Sequence, residues 1–445
     1  MPNDEIVLRF DKDEAGMLLG AWQECQDARD FACRVLGAVM NAIMDEQAQE
    51  ACGAGRNERT EARTNSRNGY RQRTLTTALG DVELDVPKLR RGSFWPEGLI
   101  GKWSRMDTSV AAVVMEMYRL GVSTRKVERV ARSLGVDSIS SSEVSRLCSE
   151  LDEEVRGMRE RDLSGTPCCY VWLDATYLSC REGSAYVSRG MVTAIGMGAD
   201  GRKHLLGAAP VETESEDSWD GFLSGLVARG LTGVRLVVSD DHRGLVAAIR
   251  RNFQGCSWQR CVVHLQRNLA SAMAGRPEAE RCAVRDLVRA ATATSDRELA
   301  RHVWDEAAPL VRSMCPRAGE VFASARDSAL AYLPFPRAHW PKLRSNNLQE
   351  RTNREIKRRA SVVGSFPSEA SMVRLVCASL IGEEDGWLAR RMVSERSART
   401  GFDPGLQLKE EGRDPEMTAE RRAALERRAR EVVADVMGRY GIGME

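Results

Sequence analysis

Hydrophobic positions change their period along the chain, and the changes divide it. Leu18, Leu19, Trp22 and Cys25 share a helical face, and Phe31, Val35, Val39 and Ile43 repeat the pattern. Residues 1–55 are therefore predicted to be helical, with apolar faces suited to core packing or a dimer contact. Within 56–107 the period shortens to two. Leu75, Thr77 and Leu79 alternate, Gly80-Asp81 suits a two-residue turn, and Val82, Leu84 and Val86 alternate on the return until Pro87. That is a β-hairpin. From 108 to 162 the helical period returns, at Val113, Val114, Met117 and Leu120, then Val127, Val130, Ala131 and Leu134, then Val144, Leu147, Cys148 and Leu151. Three short helices with Gly135 in the turn before the last match a helix-turn-helix, the alternative being a small bundle without a ligand.

Residues 163–264 read as α/β. Strands are expected at 169–173, 186–197, 203–211, 236–240 and about 258–263, with a helix after the fourth. Residues 265–340 show only helical spacing, as an insertion after a sheet would. Residues 341–395 carry a basic helix, and 396–445 a charged helical tail. Within the tail, 415–437 alternates Glu and Arg, as a solvated or partner helix does.

Composition adds little until it is localised. Of 445 residues, 42% are apolar and 29% charged, and 65 Lys and Arg face 64 Asp and Glu. The balance excludes a disordered chain and points to no polyanionic partner by itself. Locally it breaks. Arg56, Arg59, Arg63, Arg67, Arg71 and Arg73, interleaved with Tyr70, face only Glu58 and Glu61, and Lys88, Arg90 and Arg91 follow the hairpin. Such a segment suits DNA phosphates, with a solvated linker as the bland alternative. Ser142, Ser145 and Arg146 fall on the outer face of the third short helix, in reach of base edges or phosphates. Arg351, Arg354 and Arg358 recur at spacings of three and four, and Trp340 could stack on a base or lie in a core. The twelve cysteines are scattered, none in Cys-x-x-Cys, and the only metal-like spacing, Cys261 to His264, lacks a second pair. They are read as reduced and mostly buried. The N-terminus lacks a signal-peptide pattern and no apolar run approaches a membrane span, so a cytoplasmic, nucleoid-associated protein is expected.

Three carboxylates stand out. Asp174 and Asp240 sit where apolar strands end, and Glu350 heads the basic helix. If the two strands are neighbours, the acids converge as two-metal phosphoryl transfer requires. Taken singly, a strand-end Asp is more often a helix cap, and Glu350 could pair with Arg354 one turn on.

Several motifs, in order, resemble one family. They are Arg67-Asn68-Gly69-Tyr70-Arg71, Gly121-Val122-Ser123-Thr124-Arg125, Leu173-Asp174-Ala175-Thr176-Tyr177, Ser239-Asp240-Asp241-His242-Arg243-Gly244-Leu245, Trp258 to His264, and Asn347-Leu348-Gln349-Glu350-Arg351, with Val362 to Pro367 beyond. From about residue 60 to 380 the chain resembles the Mutator-type transposases of bacterial insertion sequences. The resemblance implies an RNase H-like α/β core, its first and fourth strands adjacent, with an all-helical insertion and preceding helical DNA-binding domains. It implies DDE chemistry, with Asp174, Asp240 and Glu350 holding two Mg²⁺ ions, which Mn²⁺ can replace. Asp241 is placed outside the triad. Cys261 and His264 match a Cys-x-x-His element whose expected role is local ordering or DNA contact, and His242 is read as a helix cap before a DNA contact. Double-stranded DNA, both terminal inverted repeats and target, is the implied partner, bound by a homodimer or larger complex. The alternatives are a DNA-binding regulator that has lost catalysis and a nuclease that cuts without joining.

Overall fold

The computed structural model describes residues 12–54, 58, 60, 63–77, 79–92, 94, 96, 108–119, 122, 124–133, 144 and 148–443. It divides into two units, Met1–Leu151 and Asp152–Glu445.

In the first unit, helices α1 (Lys12–Glu24) and α2 (Ala28–Cys52) precede an antiparallel hairpin of β1 (Arg67–Thr77) and β2 (Gly80–Leu89), followed by α3 (Thr108–Arg119) and α4 (Thr124–Ser133). Asp27 caps α2, its carboxylate accepting from the backbone of Arg29 and Asp30. Two expectations are corrected. The face that α2 buries is Gly37, Met40, Met44, Ala48 and Cys52, with Met40 and Met44 packed on Leu75, Val82, Leu84 and Val86, whereas Val39 and Ile43 are exposed. Thr77 already pairs with Gly80, so Gly80 and Asp81 belong to the strand and not to the turn. Much of the third helix of the expected helix-turn-helix lies outside the described residues, but Val144, Cys148 and Leu151 are described and all three are buried, with Cys148–Glu150 forming a 3-10 turn.

The second unit takes all but the first residue of α5 (Leu151–Glu160) and is built on a five-stranded mixed sheet of β3 (Cys168–Glu182), β4 (Ala185–Gly198), β5 (Lys203–Val211), β6 (Leu236–Ser239) and β7 (Ser257–Arg260). Its order is β5-β4-β3-β6-β7, with β3, β4 and β5 antiparallel and β3, β6 and β7 parallel. The first and fourth strands are therefore neighbours. Strand side chains alternate between faces. Val171, Leu173 and Val237 pack under α6 (Glu216–Ala228) and α7 (Arg243–Asn252), while Tyr170, Trp172, Leu236 and Val238 pack on the other face.

That second face meets a helical block of α8 (Val262–Ala272), α9 (Glu278–Ala293), α10 (Arg297–Met314) and α11 (Pro316–Ala329). After the short α12 (Trp340–Leu343), α13 (Asn347–Val363) lies along β3, and α14 (Glu369–Leu388) packs against β5. Helices α15 (Glu395–Phe402), α16 (Pro404–Glu411) and α17 (Ala419–Arg439) complete the unit. The solvated helix expected at 415–437 is corrected here. Ala429, Val433, Val436 and Met437 of α17 are buried in the same core as α10. No helix among the described residues is long and apolar enough to cross a membrane.

Candidate active site

Parallel pairing matches Tyr170 to Leu236 and Trp172 to Val238. Counting on by two puts Asp174 on the Trp172 face of β3 and Asp240, just past β6, on the Val238 face, both toward α13. Asp174 does not end its strand as expected. Burial on both faces stops at Leu173, but β3 continues to Glu182 in register with β4.

Helix α13 is fixed over this point by uncharged amides. Asn346 Nδ2 donates to the Leu173 carbonyl at 2.9 Å, and Gln349 Nε2 to those of Trp172 and Thr193 at 2.8 and 3.2 Å. The Thr193 hydroxyl donates to Gln349 Oε1, and Asn353 Nδ2 donates to Asp174 Oδ2 at 2.8 Å. Glu350 stands beside this stripe, its Oε1 2.8 Å from Arg267 of α8.

The carboxylates feel one another. Burial first, and then the charges of Asp240, Glu214 and Glu350, push Asp174 up to about 7, against the Ala175 N–H that it accepts from. His264 is lowered by burial, with the charges of Asp240 and Glu350 opposing. Its Nδ1 is buried without a partner, as is Asn353 Oδ1. Glu214 is a residue that the sequence does not point to. It lies between β5 and α6 and accepts a hydrogen bond from Tyr177, whose hydroxyl is pushed up to about 12. No periodicity marks a linker residue. Sequence reasoning also misses Asn346, Gln349 and Asn353, although uncharged amides in one stripe of an otherwise charged helix are a signal that could have marked a buried polar face.

Asp241 is engaged elsewhere, 2.8 Å from the buried Arg260. His242 takes the position before α7 but makes no capping hydrogen bond, and its Nδ1 is buried without a partner, so the cap expected of it is corrected. Cys261 Sγ accepts from the Asn346 N–H at 3.1 Å, and its own N–H donates to Ser239, so it joins the end of β6 to the start of α13. The thiol is raised by burial. Among the described residues no three His, Cys, Asp or Glu side chains stand close enough to enclose a metal ion as they are.

The expected DNA contacts separate into classes. Arg56, Arg59, Ser142, Ser145 and Arg146 lie outside the described residues. Arg67 pairs with Asp45 at 2.7 Å and the Tyr70 hydroxyl donates to the same carboxylate, so both tie β1 to α2. Arg63 is bonded to the carbonyl of Glu58. Arg71 is exposed and Arg73 half-buried on β1. Lys88, Arg90 and Arg91 form no ion pair among the described residues. In the second unit Arg351 and Arg354 are exposed and also without one, whereas Arg358 pairs with Glu355 at 2.6 Å. Trp340 is buried against Tyr332 with its N–H on the Phe335 carbonyl, the core position that the sequence offered as the alternative to base stacking.

Comparison with known proteins identifies the family. The family model described as "Transposase, Mutator family" matches residues 12–390. The transposase for insertion sequence element IS1081 of Mycobacterium tuberculosis is 39% identical over 369 residues, 83% of this chain and 88% of its own length. That for IS406 of Burkholderia multivorans is 37% identical, covering 82% and 94%. That for IS256 in transposon Tn4001 of Staphylococcus aureus is 36% identical, covering 81% and 91%. The chain thus belongs to the Mutator family of transposases.

Proposed function

We propose that the chain binds the terminal inverted repeats of an insertion sequence, cleaves DNA at those ends and joins them to a target by a metal-dependent DDE reaction on an RNase H-like core. The observation that carries the reading is the buried Asp174 carboxylate, which no ion pair neutralises among the described residues and which the charges of Asp240, Glu214 and Glu350 all reach. The sheet order, three antiparallel strands followed by two parallel ones, supports the fold.

The donor set fits a divalent cation. Asp174 accepts only from Ala175 and Asn353 among the described residues, and Asn353 adds an unpartnered buried oxygen. Hard oxygen ligands in excess are what Mg²⁺ takes. Asp174, Asp240 and Glu350 would hold two such ions, or Mn²⁺. When bound, they activate the attacking hydroxyl and stabilise the leaving oxygen of the phosphodiester, without a covalent protein–DNA intermediate. The chain's residues prepare that site. Asn353 orients Asp174, Gln349 and Asn346 seat the helix that carries Glu350, and Arg267 neutralises Glu350 while no cation does. Arg351 and Arg354 supply charge for phosphates on the same helix.

Recognition of the ends falls in this reading to the basic hairpin and the helices after it. A complex of at least two chains holds two ends, and the protein works where bacterial DNA lies, in the cytoplasm. Labelled element ends incubated with Mg²⁺ test the reaction. Asp174→Asn, Asp240→Asn and Glu350→Gln are each expected to abolish nicking while end binding stays near wild type. Asp241→Asn is expected to keep nicking, and full loss there would mean that Asp241, not Asp240, belongs to the triad. A wild-type chain that binds ends and never nicks would leave only the regulator.

A further inference from the structure

Most arginines of the second unit are matched with carboxylates, as Arg326 is with Asp305 and Arg374 with Asp152. Others are not, and a group of unmatched cations lines one cleft. It has a volume of about 880 Å³ and lies between the start of α13, α12, the end of α14 and the first residue of β5. Lys203, Lys342, Arg351 and Arg390 line it, and none of the four forms an ion pair among the described residues. Its carboxylate, Glu383, is directed to Arg359 at 3.4 Å. Lys203 is half-buried with its ammonium 5.5 Å from the centre of the Trp387 ring. Burial and the nearby charge of Arg351 both depress it, with the charge of Glu383 opposing.

The cleft is separate from the acids. Glu350 meets Arg267 on α8, whereas Arg351 is turned about 100° further round the helix and lines the cleft on the β5 side. Helix α13, bonded to β3 and β4 beneath it, forms the ridge between the two. Asn347 and Leu348 also line the cleft, so the first turn of a seventeen-residue helix contributes its backbone amides and dipole to the same space. Asn346, before that turn, makes no capping bond with its side chain. Arg354 continues the row of unpaired cations one turn on.

We propose that this cleft binds the backbone phosphates of DNA, without reading sequence, on the flank of α13 away from the carboxylates. The inference rests on the transposase reading for its ligand. Mobile lysine and arginine charges with helix amides position phosphates, and base edges would need groups placed to tell them apart. Four cations without an ion pair among the described residues, lining one cleft, suit an anion that reaches several of them at once, as a strand of DNA does.

The test uses the full chain with Lys342→Glu and Arg390→Glu combined, binding an element-end duplex and an unrelated duplex of equal length across a salt series in EDTA. Both duplexes should bind at least tenfold more weakly at moderate salt, and the slope of log K against log salt should shrink by about 2, near 0.9 for each phosphate that is no longer held. Lys342→Gln with Arg390→Gln should give a smaller loss with an unchanged melting temperature, and Lys342→Arg with Arg390→Lys should restore binding. Lys409→Glu with Arg428→Glu makes the same change in net charge elsewhere and should have little effect. An unchanged slope, an equal loss in that control, or a loss confined to the end duplex would overturn the proposal. No cutting occurs in EDTA, so failure of the cleft and failure of the DDE reading are separately visible.

Discussion

Asp174 shows how one residue joins stability to chemistry. Its carboxyl ionises near 7 in the folded protein against a usual value of 3.8, because it is buried beside Asp240, Glu214 and Glu350. A carboxyl raised on folding favours the folded state while protonated. Stability from this group is therefore fully present below about pH 4 and is lost as pH rises through 7, by up to about 4 kcal/mol. In EDTA the melting temperature should fall between pH 5 and 8, and Asp174→Asn should flatten that fall. Mg²⁺ or Mn²⁺ at pH 8 should restore wild-type stability and leave Asp174→Asn little changed. A metal-free protein whose melting temperature is level over this range would contradict the buried-acid account. The three acids were legible as candidates because each stands at a break in an apolar or basic pattern. Glu214 was not legible, since nothing about a linker carboxylate says which strand it will fold against.

At the scale of elements, the core strands were read closely because buried apolar runs announce them. Their extents were not. Residues 175–182 mix polar and apolar positions, yet they pair with β4 over their whole length, so backbone hydrogen bonding carries β3 on after burial on both faces has ended. The buried face of α2 escapes the sequence for a related reason: Val39 and Ile43 are as apolar as Met40 and Met44, and only the position of the hairpin decides which pair it covers. The placement of α13 depends on polar bonds, so one amide matters more than its charge-free side chain suggests. Gln349 is fully buried and makes three bonds to β3 and β4. Gln349→Ala leaves several buried groups unpaired and should cost about 2–3 kcal/mol. Because it loosens the seat of Glu350, it should also lower nicking more than end binding, measured on the same labelled ends. Equal loss of both would mean that the residue serves folding alone.

For the whole molecule, near-zero net charge concealed a division of labour. Among the described residues, charges are paired over much of the second unit and left without an ion pair at Lys88, Arg90 and Arg91, at Arg351 and Arg354 of α13 and in the cleft beside it. Assembly is the remaining question, because an insertion sequence has two ends and each chain has one set of acids. The first unit presents apolar groups that its own fold does not cover: Leu19 is 61% exposed, Trp22 47% and Ile43 42%. Trp22 packs edge-on against Phe31, so part of this surface is internally ordered. Removing the whole helical region would be uninformative, since α2 supplies Met40 and Met44 to the core of the basic hairpin. Exposed positions avoid that fault. Leu19→Glu with Ile43→Glu should leave the melting temperature and binding to a single end unchanged, because neither side chain is buried in one chain. Charges within an apolar contact between chains are costly, so the pairing of two ends should fall steeply, read by light scattering as loss of the complex holding two DNA ends. Undiminished pairing would remove this face from the assembly. One protein chain per joined pair of ends, competent for strand transfer, would remove the dimer itself.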